Sequence, residues 1–131
     1  MDLLERTNQL LIAYQGSDIP ALQQLVAPDV RIRPLSTTTL EPGPAYDGAE
    51  GIEQWVRDLE RSDRDFQPAV TGIEPHGRKV LVLGCVYAAS AGGPLERTEA
   101  AWVFGFGEDD RLASMQAYRD HEEARRDALT P

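Results

Sequence analysis

The stretch GPAYDGAEGIEQWVRDLE, residues 43–60, decides the architecture. Within it Asp47 and Glu50 have the D-x-x-E spacing of a capping box, where side chains at the cap and three residues on satisfy unpaired N–H groups of a first turn. Behind them Ile52, Trp55, Val56 and Leu59 recur at i, i+3, i+4 and i+7. That spacing predicts a helix with one apolar stripe, which has to be buried against another layer. The flanking sequence says what that layer is.

Upstream, Leu3, Thr7, Leu10, Leu11 and Tyr14 fall on one helical stripe. A second, shorter helix follows the break QGS, with Ser17 or Asp18 as its cap, Pro20 near its first turn and Leu22, Leu25 and Val26 inward. VRIRPL, residues 30–35, alternates Val30 and Ile32 with Arg31 and Arg33, a strand with one wet face that Pro34 confines to an edge or an end. STTTLEPGPAY, residues 36–46, has no periodicity and predicts a long loop, of a kind that often serves as a lid.

Downstream the period changes to two. Strands are predicted in DFQPAVTGIE (65–74), RKVLVLGCVYAAS (78–90), LERTEAAWVFGF (95–106) and RLASMQAYRD (111–120), separated by the turn sequences PHG, AGGP and GEDD. Val80 to Ala89 is apolar on both alternating faces, so both faces of this sheet should be covered. Helices followed by hairpins imply an α+β fold with a strongly curved antiparallel sheet, in the order αα-β-α-ββββ, as one domain over residues 1–131.

At 131 residues the chain is large enough to bury one core without disulfides, and Cys85, its only cysteine, reads as a small buried hydrophobe. The net charge of −9, from 13 Lys and Arg against 22 Asp and Glu, disfavours nucleic acid and anionic membranes as partners. The N-terminus lacks the basic start and long apolar run of a secretory signal, and no window is long and apolar enough for a membrane span, so a cytoplasmic protein is expected.

Chemistry is sparse. His76 and His121 read as exposed and have no metal-ligand spacing to a second His or Cys, so neither a metal nor another cofactor is expected. No G-x-S-x-G and no phosphate-binding glycine loop is present. Glu96 and Glu99 have opposite parity on one strand, so one of them should point inward; Arg31 and Arg33 read as solvated, and Asp29 as a cap or turn residue. The densest polar cluster is MQAYRDHEEARR, residues 115–126, where a strand runs into a final helix, HEEARRDAL. Asp120 and Glu123 repeat the D-x-x-E spacing, which favours capping by Asp120, although from a strand end it could also face a pocket. Tyr14, on an inner stripe, reads equally as a core residue or a hydroxyl donor.

Taken in order, four motifs resemble the NTF2-like superfamily, specifically its SnoaL-like, polyketide cyclase-like branch. AYQGSDIPAL resembles that family's break between the first two helices, and LVAPDVRIRP its L-x-x-P-D-V lead-in to the first strand. GPAYDGAEGIEQWV resembles its P-Y-x-G-x-x-G-I-x-x-W/F run, and AYRDHEEARR its closing Y-x-D-x-x-E-A. The resemblance spans nearly the whole chain. It implies a sheet wrapped around the third helix to leave a conical apolar cavity, usually in a homodimer. Members include ketosteroid isomerase, limonene-epoxide hydrolase and polyketide cyclases, whose enzymes place a carboxylate in an apolar pocket where desolvation raises its pKa. By that likeness Asp120 is the candidate acid or base and Tyr14 its donor partner. Trp55, Tyr87, Trp102 and Tyr118 are the candidate pocket wall. Gln116 and Ala117 stand where part of the limonene-epoxide hydrolase set would be sought, which argues against that reaction. The expected function is binding of a small hydrophobic or aromatic molecule with isomerase- or cyclase-like proton transfer. The alternative is a non-catalytic ligand-binding or dimerisation module.

Overall fold

Asp2 opens the first helix, its carboxylate accepting the Leu4 N–H at 2.9 Å, and α1 runs from Leu3 to Gln15 with Thr7, Leu10 and Ala13 buried. The computed structural model describes residues 2–37, 39–61, 65–89 and 93–130. After Gly16 and a left-handed Ser17, Asp18 caps α2 (Ile19–Leu25) by accepting the Ala21 N–H, and Pro20 occupies the first turn, where its missing N–H costs nothing.

No loop separates α2 from β1 (Val26–Arg33), which begins four residues before the predicted alternation. Pro28 is tolerated inside it because the ladder to its neighbour shifts register between Val26 and Arg31, leaving this stretch irregular. The following segment is not an open loop. It turns back on itself through a Leu35–Pro42 bridge and the Ser36 N–H donating to the Glu41 carbonyl at 2.7 Å, with Leu40 buried as a plug.

A two-residue strand, β2 (Tyr46–Asp47), pairs with Arg31 and Ile32 and leads into α3 (Gly48–Glu60). The expected capping box is not formed. The chain enters α3 through a left-handed Gly48, and the Asp47 side chain makes no cap hydrogen bond, lying instead 3.9 Å from Arg31. Ile52 and Val56 are buried as the stripe predicts. Gly51 permits close packing on Tyr46, since an added Cβ would lie 2.8 Å from its carbonyl carbon.

Four long strands follow: β3 (Asp65–His76), β4 (Lys79–Ala89), β5 (Glu96–Phe106) and β6 (Leu112–Tyr118), then α4 (His121–Leu129). The six-stranded sheet has the order β2-β1-β6-β5-β4-β3 and is curved and unclosed. It is mixed: β1 and β6 pair in parallel and the other neighbours antiparallel. A bulge in β3 between Val70 and Gly72 sits over Gly84, where an added Cβ would meet the Ala69 carbonyl oxygen at 2.0 Å.

Strand parity divides the core. Val82, Val86, Trp102, Phe104, Met115 and their neighbours face α1, α2 and α3. Leu81, Ala101 and Val103 face the other way and are covered by Ala124 and Ala128 of α4. This accounts for the two apolar faces of β4. Among the described residues, no helix is long and apolar enough to cross a membrane.

Candidate ligand-binding site

Where the inner face of the sheet curves away from the helices, a cavity of about 120 Å³ remains. Leu11 and Tyr14 of α1, Ile52 and Trp55 of α3, and Phe66 and Trp102 of the sheet are among its walls. The i, i+3 spacing that buries Ile52 also sets Trp55 one turn on along the same stripe, and there its indole stacks on the Tyr14 ring with centroids 5.2 Å apart and planes inclined by 24°. Trp102 pairs with Val82 across β4 and Ala117 across β6, which puts it on the inner parity.

Among the described residues, the lining contains no Asp, Glu, His, Lys, Arg or Cys. The one ionisable side chain among those described is Tyr14, whose pKa burial pushes up to about 12, so the hydroxyl stays protonated through the neutral range. Among the described residues nothing hydrogen-bonds to it. It is therefore a donor without a partner among the described residues, in a largely apolar space to which Gln15 also contributes.

The other expected site residues lie elsewhere. Asp120 is exposed at the N-cap of α4, where its Oδ1 accepts the Glu122 N–H at 2.8 Å, and it does not line the cavity. Tyr118 points to the opposite sheet face and donates to Asp127 Oδ2 at 2.6 Å; burial first, and that carboxylate second, raise its pKa. Lys79 Nζ binds the same aspartate at 3.0 Å, so the three residues fasten α4 to the sheet. Tyr87 has the outer parity, opposite Gln67 and Arg97, and is 36% exposed. Thus Tyr14, Trp55 and Trp102 are brought together, and Asp120, Tyr87 and Tyr118 are not.

Glu96 and Glu99 are both exposed, because β5 begins beyond the covered part of the sheet; Glu99 accepts the His121 N–H at 3.0 Å. His121 is partly buried rather than exposed, with Nε2 2.9 Å from the Gly84 carbonyl and 2.8 Å from that of Ala100, so this nitrogen carries a proton and clamps α4 across β4 and β5. Arg31 and Arg33 are exposed, and Cys85 is buried. Among the described residues, no cluster of three His, Cys, Asp or Glu is placed to hold a metal. One polar pair has no signal in the sequence. Tyr46 donates to Asp58 Oδ2 at 2.6 Å, and only the helical register of α3 brings Asp58 beneath the residue that precedes that helix.

No protein-family profile and no curated protein sequence matches this chain. Solved structures do. An NTF2-like protein of unknown function from Burkholderia pseudomallei superposes with a TM-score of 0.73 over 100% of both chains at 19% identity. The fold is NTF2-like. A polyketide cyclase-like protein from Sinorhizobium meliloti shares this NTF2-like fold at a TM-score of 0.69 and 17% identity, over 90% of this chain and 100% of its own. A Mycobacterium tuberculosis protein in complex with estradiol-17beta-hemisuccinate matches at 0.66 and 16%, over 89% of this chain and 92% of its own. Such likeness carries the arrangement of sheet and helices, and the chemistry of the site has to be argued from its own side chains.

Proposed function

We propose that this protein binds a compact apolar or aromatic molecule between α1, α3 and the sheet, without performing acid–base chemistry on it. The observation that carries this is the composition of the cavity wall: among the described residues its one ionisable side chain is Tyr14, whose pKa burial pushes up to about 12. A general acid or base works best with a pKa near the operating pH, and no described residue of that kind lines the cavity. Asp120 acts as a helix cap, and Tyr14 as the donor that orients a ligand oxygen. The ligand-bound state of the Mycobacterium tuberculosis protein supports use of this fold for small-molecule binding. Size narrows the class. A dry cavity of about 150 Å³ holds benzene, so about 120 Å³ matches the scale of a single ring.

The test is titration with acetophenone and with toluene, followed by the indole N–H signals of Trp55 and Trp102 in NMR and by thermal melting. Saturable shifts of both signals and a raised Tm are expected. No shift up to the solubility limit of either compound sinks the binding reading. Enzyme-dependent exchange of the acetophenone methyl protons with deuterated water would instead restore proton-transfer chemistry.

A further inference from the structure

A second cavity, of about 130 Å³, lies behind the wall that Pro34, Leu35, Trp55 and Leu59 present to the first. Its chemistry is opposite. It contains a carboxylate, Asp58, beside Tyr46, and no Lys, Arg or His among the described residues that line it. Each Asp58 oxygen is held by a neutral donor: the Tyr46 hydroxyl at 2.6 Å and Gln54 Nε2 at 2.6 Å. A carboxylate oxygen accepts more than one hydrogen bond, so each keeps a free acceptor position. Among the described residues no cation comes within ion-pair distance of Asp58, and Arg61 acts on it only from farther away. The Tyr46 hydrogen bond, the largest influence, holds the Asp58 carboxyl below its usual range, so the group is ionised at neutral pH. The indole of Trp55 forms part of the same wall, and aromatic faces attract cations. A carboxylate with no described cation in contact, beside an indole, is the complement of an ammonium group.

We propose that this side cavity is a subsite for a protonated amine, making the ligand a ring-sized apolar body that carries an amino group. The two cavities share four wall residues, and the proposed ligand offers its ring to the first and its nitrogen to the second. The placement of the ring rests on the function proposed above; the contact of the amine with Asp58 does not.

The probes are phenethylamine and its neutral counterpart 2-phenylethanol, measured by calorimetry and by the two indole signals. With the native chain the amine should bind about tenfold more tightly, since a charge-assisted hydrogen bond is roughly twice as strong as a neutral one. Asp58→Asn, which keeps a carbonyl for Tyr46, should reduce the amine to the affinity of the alcohol, and Asp58→Glu should keep the preference. Thermal melts establish that each variant is folded. Equal affinity of the two probes for the native chain, or a preference that survives Asp58→Asn, overturns the amine subsite. If both probes bind equally and shift Trp102, the main cavity stands and the subsite falls. If the amine is preferred but shifts Trp55 alone, the subsite stands and the ring is misplaced.

Discussion

Tyr14 allows fold and function to be tested separately, because its ring is packed and its hydroxyl has no partner among the described residues. The ring stacks on Trp55 and is unaffected by loss of the oxygen. Tyr14→Phe should therefore leave the urea midpoint unchanged within about 0.5 kcal/mol, the ordinary range for a change that breaks no interaction. It should weaken acetophenone relative to toluene by about fivefold, the worth of one net hydrogen bond. A variant that loses stability instead would show that the hydroxyl serves the core. Alkaline titration gives a second reading. Burial lifts both Tyr14 and Tyr46 from 10.0 to about 12, in Tyr46 with help from Asp58. Between those values the unfolded chain has shed protons that the native state retains, so stability is intact below pH about 10 and falls as pH rises toward about 12. Urea midpoints taken from pH 8 to 11.5 should fall, and less steeply for Tyr14→Phe; parallel slopes would refute the assignment.

At the level of elements, the same D-x-x-E spacing occurs before α3 and α4 and does different work. Asp120 reaches the Glu122 N–H, whereas Gly48 turns the chain so that Asp47 makes no cap bond. Asp120→Ala should cost about 1 kcal/mol, the usual worth of a cap, and leave ring binding intact. Asp47→Ala should cost no more than about 0.3 kcal/mol, as for an exposed residue without a partner in the helix. Equal costs in urea denaturation would mean that the spacing, not the geometry, decides. Gly84→Ala brings a methyl group against the Ala69 carbonyl oxygen and should cost about 3 kcal/mol by overpacking, read from the same curves. These cases show what the sequence carries. The stripe Ile52, Trp55, Val56, Leu59 is a local period and could be read directly. The left-handed entry at Gly48, the parallel pairing of β1 with β6 and the bulge over Gly84 depend on strands far apart in the chain, and leave no local period.

For the whole molecule, the decisive feature is that the sheet keeps its two faces apart. Tyr14, Trp55 and Trp102 come from three elements; the helical period made Tyr14 and Trp55 legible as inward aromatics, while for Trp102 the strand period showed only that it shares a face with Phe104 and Phe106. Tyr87 and Tyr118 are as aromatic but have the other parity, and which parity faces the cavity is set by strand register that only the structure supplies. On the outer face α4 buries Leu81, Ala101 and Val103, and Lys79 and Tyr118 hold it through Asp127. A homodimer of the kind expected from the resemblance would have to use surface that α4 leaves uncovered. Ending the chain at Arg119 removes this cover while touching no residue that lines the cavity. The loss of two buried alanines and of the bonds to Asp127 should cost about 3 kcal/mol. The exposed strip of sheet should then drive self-association, seen as a concentration-dependent rise in light scattering beyond that of the full chain under the same conditions. Toluene should still raise the Tm of the shortened chain, because the ligand site faces the other way. If truncation abolishes that thermal shift while near-ultraviolet dichroism still reports a packed core, the two faces are coupled and the site cannot be confined to the inner one.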